Sequence, residues 1–302
     1  MPTREMIERT FGPDGFASKA ILNPWAVYWN DPYWRPKMQD LMYWLKECNV
    51  DIFVRLDDPR TTKSWRGNPG SPASVGDRWI NAEHRDHIRN MMIFHGALKA
   101  QYGSGFACMI HNNEPWVEGP AQLVYEGERE ITAPEYVDWL RKSRAIIKEF
   151  DASMPVIMAG ITTVTEERFL EKLRKLEEAG LFKTWDEDGT PITNAVHIHE
   201  YEEAFGLKHI SIFDAIAKWT HPLPLIVGEV GHKEAMAARD KPEEAFAVIM
   251  KAWKFLSGIF GTRMAGFFPF ALNTIQHDPG LEPIWEIYGT PLRDMLKAEV
   301  VG

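Results

Sequence analysis

The feature that most constrains this chain is an unbroken alternation of two periodicities. From Asp51 onward, short apolar runs take turns with longer stretches of helical period. The runs at 51–57 (DIFVRLD), 106–112, 155–160 (PVIMAG), 194–201 (NAVHIHEY), 224–229 (PLIVGE) and 263–272 (RMAGFFPFAL) read as strands bounded by turn residues. The stretches at 82–102, 133–150, 165–179, 210–219 and 242–260 read as helices, with a final broken helix over 283–300. Upstream, 19–28 holds a short strand-like run and 33–49 a helical stripe through Met38, Leu41, Met42 and Leu45. Residues 1–18 are polar around Gly12-Pro13-Asp14-Gly15 and are expected to be irregular. Strand–helix alternation of this kind implies right-handed βαβ units and a parallel sheet. No linker or composition shift divides the chain, so 1–302 is expected to be one domain, a (β/α)8 TIM barrel. Only seven strands are legible. The first βα unit is therefore atypical or incomplete, or a strand hides in the long loop after Pro59. A doubly wound open sheet is the alternative, but no Gly-rich phosphate fingerprint follows an early strand.

Barrels carry their chemistry at the C-terminal ends of the strands. Those ends hold Arg55 and Asp57, then Asn113 and Glu114, then His197, His199 and Tyr201, then Glu229, then Asn273. Glu114 precedes Pro115, which biases it to extended backbone at the strand's mouth. Leu225, Val227 and Glu229 share a face by the two-residue period, so a Val227 that fills the barrel would place Glu229 above it. His197, His199 and Tyr201 likewise share a face. Two glutamates converging from different strands suit glycoside hydrolysis, one protonating the leaving oxygen while the other attacks or activates water.

Composition narrows the partners. There are 12 Trp, 16 Phe and 8 Tyr, and rings beyond core needs stack well on sugars. Trp116, Trp65, Trp25 and Trp29 fall in or beside loops expected at the mouth. A net charge of -9 argues against nucleic acid as a partner. No apolar run reaches membrane-spanning length, and the first residues lack an apolar signal core. That pattern is expected of a cytoplasmic protein or of the mature form of a secreted one. Cys48 and Cys108 are expected as free thiols rather than a disulfide or a metal site.

Asn113-Glu114-Pro115 resembles the Asn-Glu-Pro signature of the clan A retaining glycoside hydrolases, such as the family five cellulases and mannanases. Val227-Gly228-Glu229-Val230-Gly231 is similar to their nucleophile segment, and His199-Glu200-Tyr201 to their His-x-Tyr. The order and spacing agree from residue 106 to about 273. The resemblance implies Glu114 as acid/base, Glu229 as nucleophile, Asn113 on the sugar 2-hydroxyl and Tyr201 orienting the nucleophile. It implies that His199 lines the subsite of the reacting sugar. Arg55 corresponds to the clan's strand-end arginine only if a strand is missed between it and Glu114, since the clan's arginine is on strand two. The last strand departs from the clan, with Phe268 and Phe270 where a tryptophan platform is usual. A carbohydrate substrate is expected, with no metal and no cofactor.

Two other readings stay open. His197 and His199 stand two apart on one strand and could share a metal ion with His111 or His232, as in metal-dependent barrel hydrolases. A barrel that binds sugar without cleaving it is the third. For His197 alone, a satisfied core histidine is the preferred reading.

Overall fold

The computed structural model describes residues 4–13, 17–24, 29–56, 82–111, 132–162, 166–182, 189–220, 222–230 and 242–269, with Met295 and Ala298. In chain order these form α1 (Arg4–Phe11), β1 (Lys19–Leu22), α2 (Trp34–Glu47), β2 (Asp51–Arg55), α3 (Ala82–Tyr102) and β3 (Cys108–Ile110). There follow α4 (Ala133–Phe150), β4 (Val156–Ile157), β5 (Ile161–Thr162), α5 (Glu166–Glu178) and β6 (Val196–Glu200). The series closes with α6 (Ile210–Trp219), β7 (Leu225–Val230), α7 (Pro242–Phe260) and β8 (Met264–Pro269). The expected final helix at 283–300 lies outside the described residues, apart from Met295 and Ala298.

Every described strand pair is parallel. The ladders form two four-stranded sheets, β1-β2-β3-β4 and β5-β6-β7-β8. The run from Val156 to Thr162 belongs to both: its first part pairs with β3 and its second with β6. At the other side β1 lies beside β8, yet no ladder joins them among the described residues. The observed architecture is thus an α/β fold of two parallel sheets rather than one closed eight-stranded ladder. The seven strand runs of the sequence are all present, and the eighth label comes from the division of 156–162. Strands β2 and β3 pair directly, so no strand lies between them in the sheet. Helix α1 corrects the expected irregular start. Its Ile7 and Phe11, one turn apart, are buried in the core, and such a stripe is what holds a short helix.

Strand direction separates two cores. Val54, Met109, Val196, Ile198, Leu225 and Val227 face outward into the layer that the helices cover. Phe53, Cys108, Ile110, Ile157, Ala195, Ile226 and Phe268 form a second, inner cluster. Since these residues come from both sheets, the two sheets enclose one common interior. Burial on both faces explains why the strands read as continuous apolar runs.

The helices start and stop where local chemistry dictates. Thr132 and Glu135 make a reciprocal capping box at the start of α4, with Pro134 in its first turn. Its buried stripe runs through Tyr136, Val137, Trp139, Leu140, Ser143 and Ile147. Helix α5 buries Phe169, Leu173 and Leu176 and is followed by Gly180 at φ 86°, the left-handed position that favours glycine. The turn into β3 is held by His95, whose Nδ1 accepts from the Phe106 N–H at 2.9 Å. The His95 Nε2–H donates to Asp151 at 3.1 Å, tying that turn to the end of α4. Both cysteines are free thiols, as expected. Among the described residues no helix is long and apolar enough to cross a membrane.

One buried group is a liability in acid. His87 on α3 is 2% exposed, and neither ring nitrogen has a hydrogen-bond partner among the described residues. Burial lowers its pKa to about 4. The unfolded chain takes this proton near pH 6.5, whereas the folded chain refuses it until about pH 4. The unfolded state therefore binds more protons in that window, and stability falls as pH drops through it. His87→Phe should flatten that fall, by on the order of 2–3 kcal/mol at the acid end of the window. Urea unfolding followed across that pH range checks it; parallel curves for the two proteins would refute it.

Candidate active site

At the C-terminal ends of β2, β6 and β7 three side chains converge. Arg55 ends β2, and its Nη1 donates to Glu229 Oε1 at 2.7 Å. Both side chains are buried, at 5% and 8% exposure. The contact joins residues 174 positions apart and spans the two sheets. A charge-assisted bond of this length is strong, but it must offset the removal of two ions from water. On the other oxygen, His199 Nδ1 lies 3.6 Å from Glu229 Oε2, beyond hydrogen-bond length.

The register explains how Glu229 comes to face inward. Along β7, Leu225 and Val227 point outward and Ile226 inward, so plain alternation would send Glu229 outward too. The ladder slips instead. Ile198 pairs with Val227, but His199 pairs with Glu229, leaving Gly228 as an extra residue. The ladder to β8 carries the same insertion, with Val227 opposite Phe267 and Val230 opposite Pro269. This bulge turns Glu229 to the interior, beside Arg55 and His199. The expectation that Val227 fills the interior is thereby corrected: Ile226 does so. A lone glycine inside a strand was the available signal for the bulge.

His197 and His199 point inward from β6 while Val196 and Ile198 face the outer core, as the shared-face reading requires. Both histidines are fully buried. Their Nε2 atoms are 3.2 Å apart, and His197 Nδ1 is 3.3 Å from the Met158 carbonyl oxygen. Burial, with the neighbouring His199 and Arg55, holds the His197 pKa well below the ordinary histidine value. His197 is thus satisfied in the core. Phe268 is buried in the inner cluster, edge-on to Phe53 at 5.2 Å between ring centres. Trp29 is fully buried against Phe94.

His111, which directly follows β3, turns away from the interior. Its Nε2 meets Ser143 Oγ at 3.0 Å and its Nδ1 meets the Tyr136 hydroxyl at 3.4 Å. Ser143 Oγ also meets His84 Nε2 at 3.2 Å, and the Trp139 ring packs on His111 at 4.4 Å. This network anchors the end of β3 to α3 and α4. Sequence reasoning had weighed His111 only as a metal ligand. Among the described residues no group of three His, Cys, Asp or Glu side chains could hold a metal ion. Asn113, Glu114, Trp116, Tyr201 and His232 lie outside the described residues, as do Trp25, Trp65, Phe270 and Asn273. The structure therefore brings together Arg55, His199 and Glu229 among the expected site residues.

No family model matches the chain, and no curated protein is similar to it in sequence. Solved structures do share its fold. One is a GH5_18 protein from Streptomyces cattleya in complex with Manβ1-4GlcNAc, at 12% identity and a TM-score of 0.59 over 99% of this chain and 75% of that one. A β-1,4-mannanase from the sea hare Aplysia kurodai is similar at 13% identity and a TM-score of 0.51, over 89% and 72%. A trimodular GH5_4 endoglucanase is similar at 13% identity and a TM-score of 0.55, over 100% of this chain and 56% of that one, so the chain spans little more than half of that enzyme. At such identities the likeness is one of fold alone.

Proposed function

We propose that the chain is a retaining β-glycoside hydrolase acting on a poly- or oligosaccharide or a glycoconjugate. The observation that carries this reading is Glu229, buried at a strand end, bound by Arg55 and facing His199. A carboxylate so placed has one oxygen fixed and one directed at whatever enters between the strands. Its partner is Glu114. Glu114 follows the end of β3 in the sequence, directly before Pro115, which biases it to extended backbone. The fold shared with a GH5_18 protein, a GH5_4 endoglucanase and a β-1,4-mannanase supports the same reading. Closure of the two sheets into a (β/α)8 barrel belongs to it as well.

In this mechanism Glu114 gives its proton to the glycosidic oxygen as Glu229 attacks the anomeric carbon. The bond to the leaving group breaks and a glycosyl ester on Glu229 forms. Glu114, now a carboxylate, takes a proton from water, which attacks the same carbon and releases Glu229. Asn113 would hold the sugar 2-hydroxyl, and Trp116, Tyr201 and Phe268 would border the sugar. No cofactor enters any step.

The test is stereochemical. Hydrolysis of a panel of aryl β-glycosides and β-glucans, mannans and xylans, followed by proton NMR, should give the β-anomer first. An α-anomer would mean inversion, and hydrolysis of nothing would end the proposal. Glu114→Gln should lower turnover by about 10²–10⁴-fold on substrates with poor leaving groups. On dinitrophenyl glycosides, which leave without protonation, kcat/KM should change little, while kcat still falls because water attack on the glycosyl-enzyme loses its base. An equal loss on both kinds of substrate would remove Glu114 from the acid role.

A further inference from the structure

At the N-terminal ends of the strands, opposite to Arg55 and Glu229, sits a histidine whose neutral form alone fits its partners. His95 lies on α3 with its side chain 7% exposed. Its Nδ1 faces the Phe106 N–H at 2.9 Å. A backbone amide can only donate, so Nδ1 carries a lone pair. Nε2 then carries the hydrogen and donates to Asp151 Oδ2 at 3.1 Å. One imidazole thus joins three places: α3, the residue that closes α4 and the turn that enters β3. The turn is built around the ring. Gly103 stands at φ 75°, and a methyl group on Gly105 would lie 2.3 Å from His95 Nδ1. Phe106 is buried, with its ring centre 5.6 Å from that of the imidazole. The next amide, that of Ala107, donates to the Ile52 carbonyl oxygen at 2.8 Å and starts the pairing with β2.

We infer that His95 is an acid-released latch: a second proton, taken at Nδ1, sets two N–H groups against each other and frees the turn at 103–107 that leads into β3. The bond to Asp151 survives that protonation; the bond to Phe106 does not. The charged groups around the ring are Asp151 after α4, Lys99 on α3 and Lys46 on α2. Burial resists the proton more than Asp151 invites it, and Lys99 and Lys46 add to the resistance. Asp151 itself stays ionised, since Ser153 and Lys99 hold its carboxyl well below the usual carboxylate range. Within this cluster, His95 is therefore the group that changes charge first as pH falls. With the turn open, the ring takes its proton at the ordinary histidine value near pH 6.5; with the turn closed, it does so only at lower pH. Protons favour the open form between those two values, by about tenfold per pH unit for a single proton.

The experiment follows full-length, 15N-labelled protein from neutral pH down to the acid limit of folding. Long-range proton–nitrogen correlation spectra read the His95 tautomer, and amide hydrogen exchange, corrected for its intrinsic pH dependence, reads the opening. At neutral pH His95 should be the Nε2–H tautomer. Below the ordinary histidine value, protection of Phe106 and Ala107 should fall about tenfold per pH unit, while Leu173 on α5 and Ile226 on β7 keep theirs. His95→Asn, whose amide oxygen still accepts and does not titrate, should keep Phe106 protected throughout. Asp151→Asn should deepen the fall, because the closed ring then refuses its proton to a still lower pH. An Nδ1–H tautomer at neutral pH would overturn the inference. So would a flat Phe106 profile, a Phe106 profile that falls only in step with Ile226, or a His95→Asn protein that opens as the wild type does. If the His95 variant fails to fold, the wild-type exchange and the Asp151 variant still decide.

Discussion

Glu229→Ala should abolish turnover of β-glycosides, with an expected loss of about 10⁴-fold or more, the scale of removing a covalent nucleophile. The cavity left by the carboxylate keeps Arg55 and His199 around it. A small anion can enter there, draw to the guanidinium and attack the same carbon from the same side. Added azide should therefore restore consumption of an activated β-glycoside and yield the α-glycosyl azide. Anomeric configuration of that product, read by NMR, is the check. A variant that keeps its activity would sink the assignment, and rescue that yields a β-azide would move the nucleophile elsewhere.

The second large effect is on stability. Removing one member of a buried ion pair leaves the other as an uncompensated charge, at a cost of about 3–5 kcal/mol. Arg55→Ala should cost that much in urea unfolding, because Arg55 and Glu229 are both nearly excluded from water. Removing both charges costs less than removing one. Arg55→Met combined with Glu229→Leu should recover most of the loss, since apolar groups of similar volume ask for no compensation. A cost below about 1 kcal/mol for Arg55→Ala would place the pair in solvent-screened surroundings. Arg55→Lys should not restore turnover, since an ammonium cannot reproduce the planar fork.

Much of this arrangement is legible in the sequence because it is local. Periodicity and capping residues mark α3, α4, α6 and α7 to within a residue or two of their observed ends. Thr132 with Glu135, and Gly180 past α5, act over a single turn. What escaped is either too short or too distant to leave a local trace. Helix α1 offers only Ile7 and Phe11 as an apolar face before Gly12 and Pro13 intervene. The bond from Arg55 to Glu229 depends on which strands are neighbours, and strand counting back from Glu114 put Arg55 on strand three unless a strand was missed after it. The structure pairs β2 with β3 and still delivers Arg55 to Glu229. The two-residue period correctly gave His197 and His199 a common face. It failed on β7, because one extra residue reverses the period and the only local trace is a glycine.

That extra residue bears on a class of change that substitution scans never sample. Deleting Gly228 would retain every charged and aromatic group named above, and the strand would keep its apolar composition. Plain alternation from Val227 would then turn Glu229 inward without a bulge, still opposite His199 and beside Arg55. A strand that kept the glycine but lost the bulge would instead carry Glu229 to the helix-facing side, away from Arg55. When chains of this kind are compared, a gap opposite Gly228 would thus mark a regular strand rather than a lost site.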